Sequence, residues 1–156
     1  MELRRLRADE VDRFLETLWL PFADEMAALD SYNTLTPDPL ESAREYRQEQ
    51  LADEDVRLFV AVAGETLTGY TCVAVSDSPP VFARGAEANI EEVYVKPERR
   101  GEGIATALLD RAEAWGQERG CERATLAANA ENHRALEFYE SRGYTVRRHK
   151  LDTDLA

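Results

Sequence analysis

The sequence predicts a single α/β domain over residues 1–156, a mixed central sheet of about six strands with helices on both faces. Three observations predict it. The length suits one hydrophobic core. An early pair of apolar runs, Leu58–Val62 and Leu67–Val75, is joined by the tight turn Gly64-Glu65, which makes an antiparallel hairpin. From Asn89 onward the order becomes strand, loop, helix, strand, helix, strand, which implies parallel pairing through helical crossovers.

The elements follow in order. Leu3–Leu6 is a short strand. Asp9 is the expected cap of a helix whose stripe is Val11, Phe14, Leu15, Leu18 and Phe22, at helical spacing. Pro21 should kink or end that helix. Tyr32–Pro37 reads as a loop. Asp38-Pro39 reads as a cap followed by proline at the first helical position, opening a polar helix to about Leu51. After the hairpin, Ser76–Ala88 is a loop and Asn89–Val95 a strand, stopped at Lys96-Pro97. A helix carrying Ile104, Leu108, Ala112 and Trp115 on one stripe closes at Gly120. Then come a strand at Arg123–Ala127, a helix at Asn132–Arg142 ended by Gly143, and a last strand at Tyr144–Leu151.

Composition narrows the function. The formal charge is −12, with basic residues scattered among acids, which argues against nucleic acid as a partner. Of the 19 basic residues only Lys96 and Lys150 are lysines. The acidic excess points to a salt-loving source, with a GC-rich genome as the alternative. No run is long and apolar enough to span a membrane, and Met1–Arg5 lacks the apolar stretch of a signal peptide, so a cytoplasmic protein is expected. Cys72 and Cys121 are expected to be separate buried thiols rather than a disulfide. No ligand spacing links His133 and His149, so no metal is expected.

The chemistry concentrates in Val93-Tyr94-Val95-Lys96-Pro97-Glu98-Arg99-Arg100-Gly101-Glu102-Gly103-Ile104-Ala105-Thr106. A strand ends, a glycine-rich turn follows and a helix begins. The first helical turn offers free N–H groups and the positive end of the helix dipole. Glycines at 101 and 103 remove side chains that would hold a phosphate away, and Arg99 and Arg100 add positive charge. A nucleotide-kinase loop needs Gly-Lys-Ser/Thr, which is missing, and a dinucleotide loop needs a third glycine where Thr106 stands.

Arg100-x-x-Gly103-x-Ala105 resembles the pyrophosphate motif Arg/Gln-x-x-Gly-x-Gly/Ala of the GNAT superfamily of N-acetyltransferases. The strand Glu91-Glu92-Val93-Tyr94-Val95 resembles the one before that motif. Asn132-His133-Arg134-Ala135-Leu136-Glu137-Phe138-Tyr139-Glu140-Ser141-Arg142-Gly143-Tyr144 resembles Asn-x-x-Ala-x-x-x-Tyr-x-x-x-Gly-Phe, with Tyr144 in place of phenylalanine. The resemblance is strong over about residues 89–145, while the N-terminal part agrees in element order.

The resemblance implies acetyl-CoA as co-substrate. Its pyrophosphate would be held by Arg100, Gly101, Glu102, Gly103, Ile104, Ala105 and Thr106. Its pantetheine arm would lie along Val93, Tyr94 and Val95 like an added strand. Asn132 would contact the arm, and Tyr139 would act as general acid near the sulfur. Asn132 and Tyr139 are seven residues apart, two helical turns, and so share a face. A strand amide N–H would stabilise the oxyanion. The acceptor is a primary amine that must lose a proton, and Glu91 or Glu92 could take it. Strict alternation puts these two on opposite faces, and the resemblance favours Glu91.

Two rivals stand beside this reading. One is an acyl-CoA sensor of the same fold without turnover, and the other is a nicotinamide enzyme. The acceptor cleft is expected from the first two helices, the loop between them and the C-terminal strand. Asp24, Glu25, Asp30 and Tyr32 there either meet a cationic amine or form a solvated face. With thirteen residues after Gly143, the sheet edge should be short, and a homodimer across it is expected.

Overall fold

The computed structural model describes residues 1–156. Five strands form one sheet in the order β1-β2-β3-β4-β5. They are β1 (Glu2–Arg5), β2 (Val56–Ala63), β3 (Thr66–Ser76), β4 (Glu87–Val95) and β5 (Arg123–Leu126). The first four pair antiparallel in sequence, and β4 pairs parallel with β5. The mixed sheet is therefore as expected, with five strands rather than six.

Alternation along β2 divides the core. Leu58, Val60 and Val62 face one side, where they meet Phe14, Leu15 and Leu18. Phe59 and Ala61 face the other, where they meet Leu108, Leu109 and Trp115. The first side is covered by the N-terminal helices α1 (Val11–Phe14), α2 (Leu20–Leu29) and α3 (Leu40–Ala52). The second is covered by α4 (Ile104–Glu118), with Phe138 and Tyr139 of α5 (His133–Ser141) packed against it.

Several boundaries differ from expectation for local reasons. Asp9 lies inside a short 3-10 turn, Ala8–Glu10, and it is Glu10 that accepts the Arg7 N–H, at 2.9 Å. Pro21 does not end the helical stretch. A π-helical turn at Leu15–Trp19 precedes it, and the Leu20 N–H donates to the Leu15 carbonyl, an i→i+5 bond. Widening the turn there relieves the clash that a proline ring makes with the preceding turn. α3 starts one residue later than expected, at Leu40, with no side-chain cap from Asp38.

The expected last strand at Tyr144–Leu151 is not formed, and residues 144–156 hold no regular structure. Tyr144 is fastened, its N–H on the Tyr139 carbonyl and its hydroxyl donating to Glu113 at 2.6 Å. Beyond it Val146 and Leu151 are exposed. Without a face to bury, strand propensity has nothing to act on.

Candidate active site

The parallel pairing of β4 with β5 runs from Glu87↔Arg123 to Ile90↔Leu126 and stops. Beyond it, the Glu91–Val95 edge of β4 has no strand beside it, and the sheet opens into a cleft of about 470 Å³. β4, the Arg99–Thr106 turn, α2 and α5 supply its walls.

At one end lies the anion cradle. Gly101 and Gly103 both have φ of +83°, a left-handed conformation that favours glycine, and Gly103 is the residue before α4. A Cβ at either would meet nothing within 4 Å, so the sequence requires glycine here for backbone angle rather than for space. No acceptor in the protein takes the N–H groups of Ile104, Ala105 and Thr106. These orphan donors open onto the cleft and fit a diphosphate. Glu102 does not line the cleft; its carboxylate lies 3.3 Å from Nε of Arg99, which does.

Arg100 is more engaged than its sequence context suggests. Its Nε donates to the Val95 carbonyl at 3.0 Å, its Nη2 reaches both Glu25 oxygens, and its guanidinium lies 5.6 Å from the Tyr94 ring centroid. Arg134 approaches the same Glu25 at 3.5 Å. Glu25 is thus an ion-pair partner of the cradle. Asp30 does not face solvent freely either, since it accepts from Asn129 Nδ2 at 2.8 Å and ties the α2–α3 loop to the β5–α5 loop. Tyr32 is exposed, and α2 supplies a wall of the cleft through Phe22, Glu25 and Met26, while no C-terminal strand reaches it.

Val93 and Val95 line the cleft on the free edge of β4. Tyr94 also borders the cleft, while its ring packs with Phe22 and Tyr70 on the face covered by the N-terminal helices. Asn132 caps α5, its Oδ1 accepting the Ala135 N–H at 3.2 Å, and borders the cleft. Tyr139 stands on the same wall. Burial raises its pKa above the ordinary phenol value, so its hydroxyl keeps the proton at neutral pH.

The two acids break the alternation rule. Cys72 pairs with Glu92 and Val73 with Ile90, so Glu91 is the extra residue of a β-bulge. Glu92 consequently points to the face of Tyr70 and Cys72, and Glu91 does too, its Oε2 lying 4.0 Å from Cys72 Sγ. The opposite-face expectation is corrected. Glu92 is fully engaged. It accepts from Arg47 Nη2 at 2.8 and 2.6 Å and from the Tyr70 hydroxyl at 2.5 Å. Glu91 is open to the cleft with no cation bonded to it. Partial loss of water around its carboxylate, then the Glu92 charge, raises its pKa above the usual carboxylate range, with Arg47 opposing.

Sequence reasoning missed Arg47, Gln50 and Tyr70. Arg47 is 1% exposed, and an arginine in a polar helix carries no periodic signal that it is buried. Cys72 and Cys121 are free and buried, and burial pushes the Cys72 thiol up to about 12.

Comparison with known proteins agrees with this geometry. Residues 15–144 match the Acetyltransferase (GNAT) family. An "uncharacterized N-acetyltransferase" of Archaeoglobus fulgidus is 28% identical over 141 residues, covering 90% of each chain. Aminoglycoside N(6')-acetyltransferase type 1 of Stenotrophomonas maltophilia is 31% identical over 116 residues, covering 67% of this chain and 71% of its own. In fold, the chain superposes with a TM-score of 0.77 on a predicted acetyltransferase of Clostridium acetobutylicum solved with acetyl-CoA, at 20% identity and covering 99% and 96% of the two chains. With a GNAT match across most of its length and a cradle that fits acetyl-CoA as co-substrate, the chain belongs to the GNAT acetyltransferase family and is an N-acetyltransferase.

Proposed function

We propose that this enzyme moves the acetyl group of acetyl-CoA directly to a primary amine in a ternary complex, with Glu91 as general base and Tyr139 as general acid. The observation that carries the reading is the split between β4 and β5. It opens one cleft onto which Glu91, Tyr139 and the α4 N-terminus all face. The relative from Stenotrophomonas is named for acetylation at an amino position, which supports an amine as acceptor.

The residues divide the work. The Ile104, Ala105 and Thr106 N–H groups and Arg100 would hold the pyrophosphate, and the free β4 edge at Val93 and Val95 would pair with the pantetheine arm. Asn132 would steady that arm from the opposite wall. Acetyl-CoA supplies the activated thioester. The acceptor nitrogen bonds to the acyl carbon as the carbon–sulfur bond breaks. Glu91 takes the proton from nitrogen, directly or through water, and Tyr139 gives a proton to the departing thiolate. A raised pKa suits both tasks, since it makes Glu91 a stronger base and keeps Tyr139 protonated. Glu92 is already held by Arg47 and Tyr70, which leaves Glu91 as the acid free to take the proton.

The test is the pH profile of Glu91→Gln with a panel of amines. Its rate deficit should be greatest near neutral pH, where a primary amine is mostly protonated. It should shrink as pH approaches the amine pKa, about 10 for a lysine-like acceptor. A deficit constant in pH would reject Glu91 as base. Release of no free thiol with any amine would reject turnover by this chain.

A further inference from the structure

The bulge in β4 creates an electrostatic problem. Two adjacent carboxylates, Glu91 and Glu92, are turned to one face of the sheet. Two like charges so close cannot both ionise freely, and a shared proton would disable a base. The groups around them are Cys72 and Tyr70 from β3 and Arg47, Gln50 and Tyr46 from α3. Cys72 is pushed up to about 12 and Tyr70 well above the usual phenol range, so both are neutral at working pH. Arg47 is therefore the one cation in this group.

Its placement is specific. The guanidinium is buried, gives both bonds of one Nη2 to Glu92, and donates its Nη1 to Gln50 Oε1 at 2.8 Å. It also lies over the rings of Phe14 and Tyr46, 5.4 and 5.5 Å from their centroids. Removing it would leave the carboxylate of Glu92 without its counter-charge, beside Glu91.

We propose that Arg47 is a positioning residue for the proposed base: by compensating Glu92 it leaves Glu91 as the single uncompensated carboxylate at the cleft. This rests on the reading of Glu91 as base, and the experiment separates the two. Glu91 is followed directly by carbon-13 NMR of carboxyl-labelled glutamate, its signal identified by its loss in Glu91→Gln, alongside the acidic limb of kcat/KM. In Arg47→Met both the Glu91 titration and the acidic limb should move up by about 1 pH unit or more. Arg47→Lys, which keeps the charge, should largely restore both.

If Arg47→Met does not fold, the comparison is Glu92→Gln, which leaves Arg47 without its carboxylate, against Arg47→Met/Glu92→Gln, which leaves neither charge of the pair behind. Glu91 should titrate lower in the variant that keeps Arg47. An unmoved Glu91 titration in a folded Arg47→Met, or equal titrations in the second pair, would overturn the proposal. A titration that moves while the limb stays would overturn Glu91 as base and leave Arg47 in control of an idle carboxylate.

Discussion

Glu25 on α2 reaches across to Arg100 of the phosphate cradle, its two carboxylate oxygens 3.1 and 3.0 Å from one guanidinium nitrogen. If Arg100 holds the pyrophosphate as proposed, Glu25 competes with that ligand for the same cation. Glu25→Gln removes that competition. Calorimetry should show acetyl-CoA binding about two- to fivefold tighter in dilute buffer, the scale of a partly exposed ion pair, with the gain fading in high salt. Weaker binding would instead mean that Glu25 aims Arg100 at the ligand.

Gly103 has φ of +83° at the start of α4, so any side chain there is strained. Gly103→Ala should cost about 1–2 kcal/mol of stability and lower Tm by a few degrees. Gly103→Glu adds a carboxylate beside the orphan N–H groups and should abolish acetyl-CoA binding. Gly64→Ala, at φ of +62° in the β2–β3 turn, is the control. It should show a comparable stability loss with binding unchanged. A folded Gly103→Glu that binds normally would remove the cradle from this loop.

Tyr139 keeps its ring packed beside Phe138 and Tyr144, and its hydroxyl has no partner in the protein. Tyr139→Phe should therefore leave Tm and acetyl-CoA affinity nearly unchanged. Turnover should fall by about 10² to 10⁴ if the hydroxyl delivers the proton. A fall of less than about tenfold would assign that proton to water.

A net charge of −12 on 156 residues implies self-repulsion that added ions screen. Thermal melts from dilute buffer to molar KCl should show Tm rising. A flat curve would mean that local ion pairs such as Arg4–Glu10 and Arg119–Asp55 already offset the excess.

The outer edge of β5 pairs with no strand of its own chain, and the segment after Tyr144 adds none. Unpaired edge groups favour association, so light scattering at high protein and working salt should give a dimer mass. A monomer would mean that solvent alone satisfies this four-residue edge.

Much of the site was written in local sequence. The Arg100–Thr106 turn, the cap at Asn132 and the two-turn spacing to Tyr139 depend on residues within a few positions of one another. Backbone preferences and helix geometry decide these without reference to the rest of the chain. The hairpin was legible for the same reason, because two apolar runs joined by a tight glycine turn are a local pattern. Tertiary structure alone decided the rest. Which way Glu91 points depends on a bulge set by pairing with Cys72 and Val73, and one inserted residue turns a side chain to the other face. Arg47 reaches Glu92 over a separation of 45 residues, and Glu25 reaches Arg100 over 75. Helical spacing cannot announce such contacts, since the periodic signal of a helix records apolar faces and not buried charge. The segment after Tyr144 reads as a strand but is none, because a strand needs an edge to pair with and a face to bury, and neither is a property of the segment itself.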